Sequence, residues 1–285
     1  MTTDPSCVPP IEDWNRLLDG RVAVITGGGA DGIGGAIAEL FAAHGAIVEI
    51  VDNDEQRAAG TCDAITAAGG QVRTHLADVT TEDGVNALVT SVLERHGHVD
   101  VLVNNVGDYR PLVRFHDSNP DSWETMYRIN LWHVFAVTQG FLGSMMSRGS
   151  GSIINVHSVE GMRGFPGEPV YAAMKAAVAH FTTSLAAGYG RKGIRANGIG
   201  VDLTQTRQVD YLTGSEQHQA LWESWAPVGR VGWPEDQARI ALFLASDLSS
   251  FVTGQNIAGD GGTLAGGGWF YSPVAGRFVN RPTGL

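Results

Sequence analysis

Six short apolar runs punctuate the chain, at residues 22–26, 47–51, 72–76, 99–103, 152–156 and 195–199. Each has the length of a strand, and such continuous runs fit strands buried on both faces. Between the runs the period changes. Ile33, Ile37, Leu40, Phe41 and His44 recur at helical spacing, and an alanine-rich stretch over 54–68 stops at Gly69-Gly70. The alternation continues from residue 21 to about residue 260 and predicts an α/β fold: a parallel sheet with helices on both faces, in three layers and a single domain. Residues 1–19 read as an N-terminal arm, 20–265 as the domain, and 266–285 as an aromatic C-terminal extension. A polar and aromatic segment over 203–233 interrupts the alternation.

Composition narrows the function classes. The 285 residues carry a net charge of −11, which argues against nucleic acid or an anionic membrane as partner. No apolar run reaches the length of a membrane span, and the first ten residues lack the basic-then-apolar order of a signal peptide. Cys7 and Cys62 are the only cysteines, so a reduced, cytoplasmic protein is expected. His96 and His98 stand close together without a third ligand nearby, so no metal is expected.

The first strand runs into Thr26-Gly27-Gly28-Gly29-Ala30-Asp31-Gly32-Ile33-Gly34, where a helix opens. Glycines there let the backbone turn sharply and approach a pyrophosphate held at the helix N-terminus, which marks a dinucleotide site at Gly27, Gly28, Gly32, Ile33 and Gly34. The second strand ends in Asp52, where a carboxylate accepts hydrogen bonds from ribose hydroxyls and repels a 2′-phosphate. No arginine or lysine lies between Arg21 and Arg57, so a phosphate would lack a nearby counter-charge and NAD is the expected cofactor.

Tyr171 and Lys175 stand four apart at the start of a long helix and share a face. Lys175 and Lys192 are the only lysines. An ammonium beside a phenol lowers the phenol's pKa, which makes Tyr171 a general acid for a ketone and a general base for an alcohol. Ser158 follows the fifth run at the carboxyl end of the sheet, where its hydroxyl can hydrogen-bond a developing alkoxide.

With these residues in place, the chain resembles the short-chain dehydrogenase/reductase family over residues 20–265. Asn104-Asn105-Val106-Gly107 resembles the family's Asn-Asn-Ala-Gly segment, and Asp78-Val79 its adenine-contacting pair. Asn130 falls where the family keeps an asparagine, and Ser158 precedes Tyr171 by thirteen residues. Pro227-Val228-Gly229-Arg230, Pro234-Glu235 and 252–262 resemble C-terminal signatures.

The resemblance implies a doubly wound, Rossmann-like domain assembled as a homotetramer or homodimer. It implies Tyr171 as acid/base, Ser158 orienting the substrate oxygen and Lys175 on the nicotinamide ribose. Asn130 then holds a relay water, and Asn105, Val106, Gly107 and Thr206 contact the cofactor. Three departures stand out. The glycine turn is one residue longer than usual, so either Gly27 or Gly28 takes the first glycine's place and Asp31 comes close to the phosphates. Val106 replaces alanine. Gly200-Val201-Asp202 stands where the family has a Pro-Gly pair.

Tyr109, Met162, Phe165, Tyr211, Trp222 and Trp225 are expected to form a roomy apolar pocket for a bulky alcohol or ketone, alicyclic, aromatic or steroidal. Arg110 and Arg163 are candidates for an acidic substrate group. The alternatives are an NADPH-linked ketone or acyl-chain reductase, and a dinucleotide-binding regulator without catalysis.

Overall fold

Seven strands form one parallel sheet in the computed structural model, which describes residues 11–209, 224–268, 270–272, 274 and 276–279. They are β1 (Val22–Thr26), β2 (Ile47–Asp52), β3 (Gln71–Leu76), β4 (Val101–Asn104), β5 (Gly151–Ser158), β6 (Ile194–Val201) and β7 (Asn256–Gly259). Their order across the sheet is β3-β2-β1-β4-β5-β6-β7. The chain winds outward from β1 in one direction and resumes at β4 in the other, which leaves a crevice beyond the strand ends where β1 meets β4.

Alternate residues of each strand feed two cores. Ile25, Ile50, Ile154 and Ile199 face one side, packed under α1 (Ile33–Ala43) and α7 (Pro234–Ala245) through Ile37, Phe41 and Leu244. Val24, Val51, Leu102 and Ile153 face the other, under α3 (Glu82–His96), α5 (His133–Arg148) and α6 (Pro169–Tyr189) through Leu88, Phe141 and Leu185. The described residues also include the helices α2 (Glu55–Ala67), α4 (Pro120–Tyr127) and the short α8 (Thr263–Gly266). Arg195 on β6 donates to the carbonyls of Leu244 and Ser246, tying the sheet to the C-terminal end of α7.

The doubly wound α/β fold is therefore the observed one. The fourth run starts two residues late, at Val101, and the fifth and sixth strands extend to Ser158 and Val201, which pair in register. Ser158 is thus the last residue of a strand rather than part of the loop beyond it. β7 went unmarked in the sequence because an edge strand buries each residue only in part. The C-terminal extension carries an antiparallel hairpin, β8 (Phe270–Ser272) with β9 (Arg277–Val279), separate from the main sheet.

The two histidines near residue 97 serve the fold. Glu49, buried in β2, accepts from His75 at 2.5 Å and His96 at 2.6 Å. Burial alone would raise its carboxyl, but the hydrogen bonds from His75 and His96 outweigh that and hold it below its ordinary value. His98 turns to Asp100 at 3.2 Å. Among the described residues no cluster of His, Cys, Asp and Glu has metal-binding geometry, and no helix is long and apolar enough to cross a membrane.

Candidate active site

A cleft of about 900 Å³ lies along the carboxyl edge of the sheet. Its floor begins at the glycine turn. Gly27 adopts φ +64° and takes the first glycine's place, while a Cβ on Gly28 would meet Ile50 at 2.8 Å, so Gly28 packs behind the turn. A Cβ on Gly34 would lie 2.1 Å from the Gly27 carbonyl oxygen, a separation no side chain tolerates. Asn105 holds this arrangement from β4, its side chain donating to the carbonyls of Thr26 and Gly27, both at 3.1 Å. The extra residue of the turn is absorbed at Asp31, whose φ of +63° is the one left-handed non-glycine conformation among the described residues. Gly32 caps α1 without a side chain, so no side-chain cap competes for the first-turn N–H groups.

At the β2 end the cleft is lined by Asp52, Asn53, Arg57, Asp78 and Val79. The buried Asp52 carboxylate accepts from the Gly29 N–H at 3.0 Å, the Asp54 N–H at 3.0 Å and Arg57 Nη2 at 2.8 Å. The expectation of no counter-charge is corrected here. Arg57, in the first turn of α2, points back at the strand end, a geometry that linear distance from the glycine turn concealed. It is shared between Asp52 and Asp54, which together outnumber it in charge. Asp78 turns on itself, accepting from the N–H and hydroxyl of Thr80.

At the other end stand Val106, Gly107, Ser158, Tyr171, Lys175 and Thr206. A Cβ on Gly107 would lie 2.5 Å from Lys175 Nζ, so the glycine makes room for the ammonium. Lys175 is buried, donates to the Val156 carbonyl at 3.5 Å and sits 5.7 Å from the centre of the Tyr171 ring. Burial lowers its pKa to about 8. Tyr171 remains partly open to the cleft, yet burial of its phenol, with Glu160, Asp108 and Tyr109 adding, holds it above the ordinary tyrosine value. A hydrogen bond with Ser158 pulls the other way. The expected depression by Lys175 is thus not a property of the protein alone, because desolvation dominates.

Asn130 sits fully buried in a π-helical turn, Arg128–Trp132, between α4 and α5. Its amide brackets Asp108, accepting from that residue's N–H at 3.1 Å and donating to its carbonyl at 2.8 Å.

Of the expected substrate wall, Tyr109, Phe165 and Trp225 line the cleft, and the rings of Tyr109 and Phe165 stand edge-on to Tyr171 at 6.2 and 6.3 Å. Met162 does not. The 3₁₀ turn at Val159–Gly161 brings Glu160 onto the wall instead and leaves Met162 exposed beside Gly200. Tyr211 and Trp222 lie outside the described residues. Both candidate arginines are engaged, Arg163 with Glu160 and Asp202, and Arg110 with Asp108. Asp108, Glu160 and Gln208 also line the cleft and were missed in the sequence, where polar residues between strands read only as loop.

The glycine cradle, the uncapped helix end and the acid at β2 fit a dinucleotide, and the fold and site together define an oxidoreductase. A family model described as enoyl-(acyl carrier protein) reductase matches residues 28–263. The chain belongs to the short-chain dehydrogenase/reductase family, whose members bind a nicotinamide dinucleotide. It is 38% identical over 249 residues to 3-oxoacyl-(acyl-carrier-protein) reductase FabG of Chlamydia muridarum, covering 87% of this chain and 99% of that one. A gluconate 5-dehydrogenase from Burkholderia cenocepacia J2315, in complex with NADP and tartrate, superposes with a TM-score of 0.81 at 35% identity, covering 88% of this chain and 98% of that one. A 7α-hydroxysteroid dehydrogenase complexed with NADH and 7-oxo glycochenodeoxycholic acid gives the same TM-score and identity, covering 87% and 96%.

The buried ammonium sets a stability prediction. Between pH 8 and 10.5 the unfolded chain holds a proton at Lys175 that the folded one has lost, so stability rises with pH there, and below pH 8 the full burial cost is carried. Lys175→Met is expected to stabilise the dinucleotide-free protein at pH 7 by roughly 3 kcal/mol. The gain should shrink above pH 8 and vanish above 10.5. Urea unfolding across that range measures it, and a variant no more stable than the parent at pH 7 contradicts the assignment.

Proposed function

We propose that the protein is an NAD-dependent dehydrogenase of secondary alcohols, acting as a ketone reductase in the reverse direction. The observation that carries this reading is the convergence of Ser158, Tyr171 and Lys175 on one end of a cleft that has Asp52 at the other. Bound nicotinamide dinucleotide supplies the carbon that accepts or returns the hydride. Gly27, Gly32 and Ile33 hold its phosphates, with Gly28 and Gly34 shaping the turn from behind. Asp52 takes the adenosine ribose, Asp78 and Val79 the adenine, and Asn105, Val106, Gly107, Lys175 and Thr206 the nicotinamide half.

In oxidation Tyr171 takes the hydroxyl proton of the alcohol while Ser158 holds the same oxygen. Lys175 keeps a positive charge beside the phenol, offsetting the desolvation that opposes phenolate. Asn130 fixes the backbone of Asp108 and leads the proton toward water. In reduction Tyr171 returns the proton to the ketone oxygen.

The substrate is a bulky neutral alcohol, alicyclic, aromatic or steroidal. Tyr109, Leu112, Phe165, Val209 and Trp225 give the cleft its apolar wall, and Arg110 and Arg163 are already matched by carboxylates. The enzyme works in the cytoplasm as a homodimer or homotetramer. The apolar groove lined by Trp132, Phe135, Leu142 and Phe181, together with the C-terminal hairpin, supports self-association.

Arg57 favours a second reading, an NADPH-linked reductase, because a guanidinium at the ribose could turn from Asp52 to a 2′-phosphate. Fluorescence titration separates the two. NADH is expected to bind at least tenfold more tightly than NADPH, and the reverse order would establish the second reading. For the chemistry, NADH formation from NAD is followed against linear, alicyclic, aromatic and steroidal secondary alcohols. Tyr171→Phe should fold and bind NADH yet lose about 10²- to 10⁴-fold in turnover, whereas retained activity would remove Tyr171 from the reaction.

A further inference from the structure

Ser158 Oγ is held by two backbone groups from different segments. It donates to the Val201 carbonyl at the end of β6, 3.1 Å away, and accepts from the Glu160 N–H in the turn after β5, also at 3.1 Å. A hydroxyl has one proton and two lone pairs. With those two partners in place, one bonding direction remains for a further donor, and Tyr171 is within hydrogen-bonding reach of the hydroxyl. The direction therefore depends on how far Val201 stands from Glu160.

Side chains flanking these two backbone partners fix that spacing. Glu160 accepts from Arg163 Nη2 at 2.7 Å and from its Nε at 3.3 Å. The same Nη2 reaches the carboxylate of Asp202, the neighbour of Val201, at 3.1 Å. Asp202 is anchored from behind by the Thr263 hydroxyl and in front by the Leu203 N–H at 2.8 Å. The Asp202 side chain is 7% exposed, against 27% for Arg163 and 17% for Glu160. These contacts close a ring: Ser158, Glu160, Arg163, Asp202, Val201 and back to Ser158. Partly buried ionic contacts with several hydrogen bonds hold geometry better than an exposed pair does.

We propose that Asp202, Arg163 and Glu160 are positioning residues that aim the Ser158 hydroxyl at the reacting oxygen. Glu160 and Asp202 also line the cleft, but the role assigned to all three is exerted through Ser158. Asp202 is the residue on which the ring depends, because it alone joins β6 to both the turn after β5 and α8.

This inference rests on the proposed dehydrogenase reading for its kinetic consequence but not for its structural one, and the test keeps the two apart. Asp202→Asn, Arg163→Met and the double variant are compared with the parent by thermal melting, NADH titration, amide hydrogen exchange and turnover of cyclohexanol with NAD. In Asp202→Asn the Glu160 amide should exchange at least tenfold faster while amides in α1 stay as protected as before. Turnover should fall about tenfold, with NADH affinity within twofold of the parent. The double variant should lose no more than the worse single one, the signature of residues acting as a unit. Unchanged exchange at Glu160 in both single variants would overturn the clamp, as would turnover losses that multiply in the double. If the parent oxidises none of the alcohols yet the Glu160 amide is released in Asp202→Asn, the clamp stands and the dehydrogenase reading falls.

Discussion

The Gly34 Cα approaches the Gly27 carbonyl so closely that the N-terminus of α1 sits directly over the end of β1. This contact fixes where the uncapped end of the helix points, and with it where phosphates can rest. Asn105, just beyond β4, secures it by donating to the carbonyls of Thr26 and Gly27, which extends the β1–β4 pairing into the turn. Any side chain at Gly34 would push the helix away and open the cleft at its narrowest place. The positions of Asp52 on one side and of Val106 and Gly107 on the other follow from that shared frame.

The opposite end of the cleft is governed by desolvation. Lys175 is buried and its pKa falls; Tyr171 is enclosed and its pKa rises. Both shifts disfavour the charged forms, but with a pKa of about 8 Lys175 still carries its charge at neutral pH while the Tyr171 phenol keeps its proton. Several buried polar strand residues near this end are paired. Asn104 donates to Asn155 and Thr138, and Asn155 donates to Thr182, a ladder running under the reacting end.

The sheet and the grouping of Ser158, Tyr171 and Lys175 at one cleft were legible in the sequence because both follow local rules. Continuous apolar runs mark buried parallel strands, and Ser158, Tyr171 and Lys175 sit at fixed offsets from strand ends and helix starts. Interactions between distant segments were not legible. Nothing near Asp52 announces that Arg57 folds back upon it, and Arg163 and Asp202 meet only because β5 and β6 pair in register to their ends. Met162 was misplaced for the same reason: its apolar character was readable, but the turn that carries Glu160 onto the wall in its place was not. His96, conspicuous in the sequence, answers to Glu49, a residue hidden in the middle of a strand.

The central claim is that Tyr171 moves the proton while the carbinol hydrogen passes directly to the nicotinamide. The measurement that tests it most directly uses cyclohexanol deuterated at the carbinol carbon, incubated with NAD and the enzyme, with the recovered NADH examined by proton NMR. The expected result is one deuterium on one face of nicotinamide C4, with transfer at least about a hundredfold slower in Tyr171→Phe. NADH carrying only solvent hydrogen at C4, or equal label with and without the tyrosine hydroxyl, would contradict it.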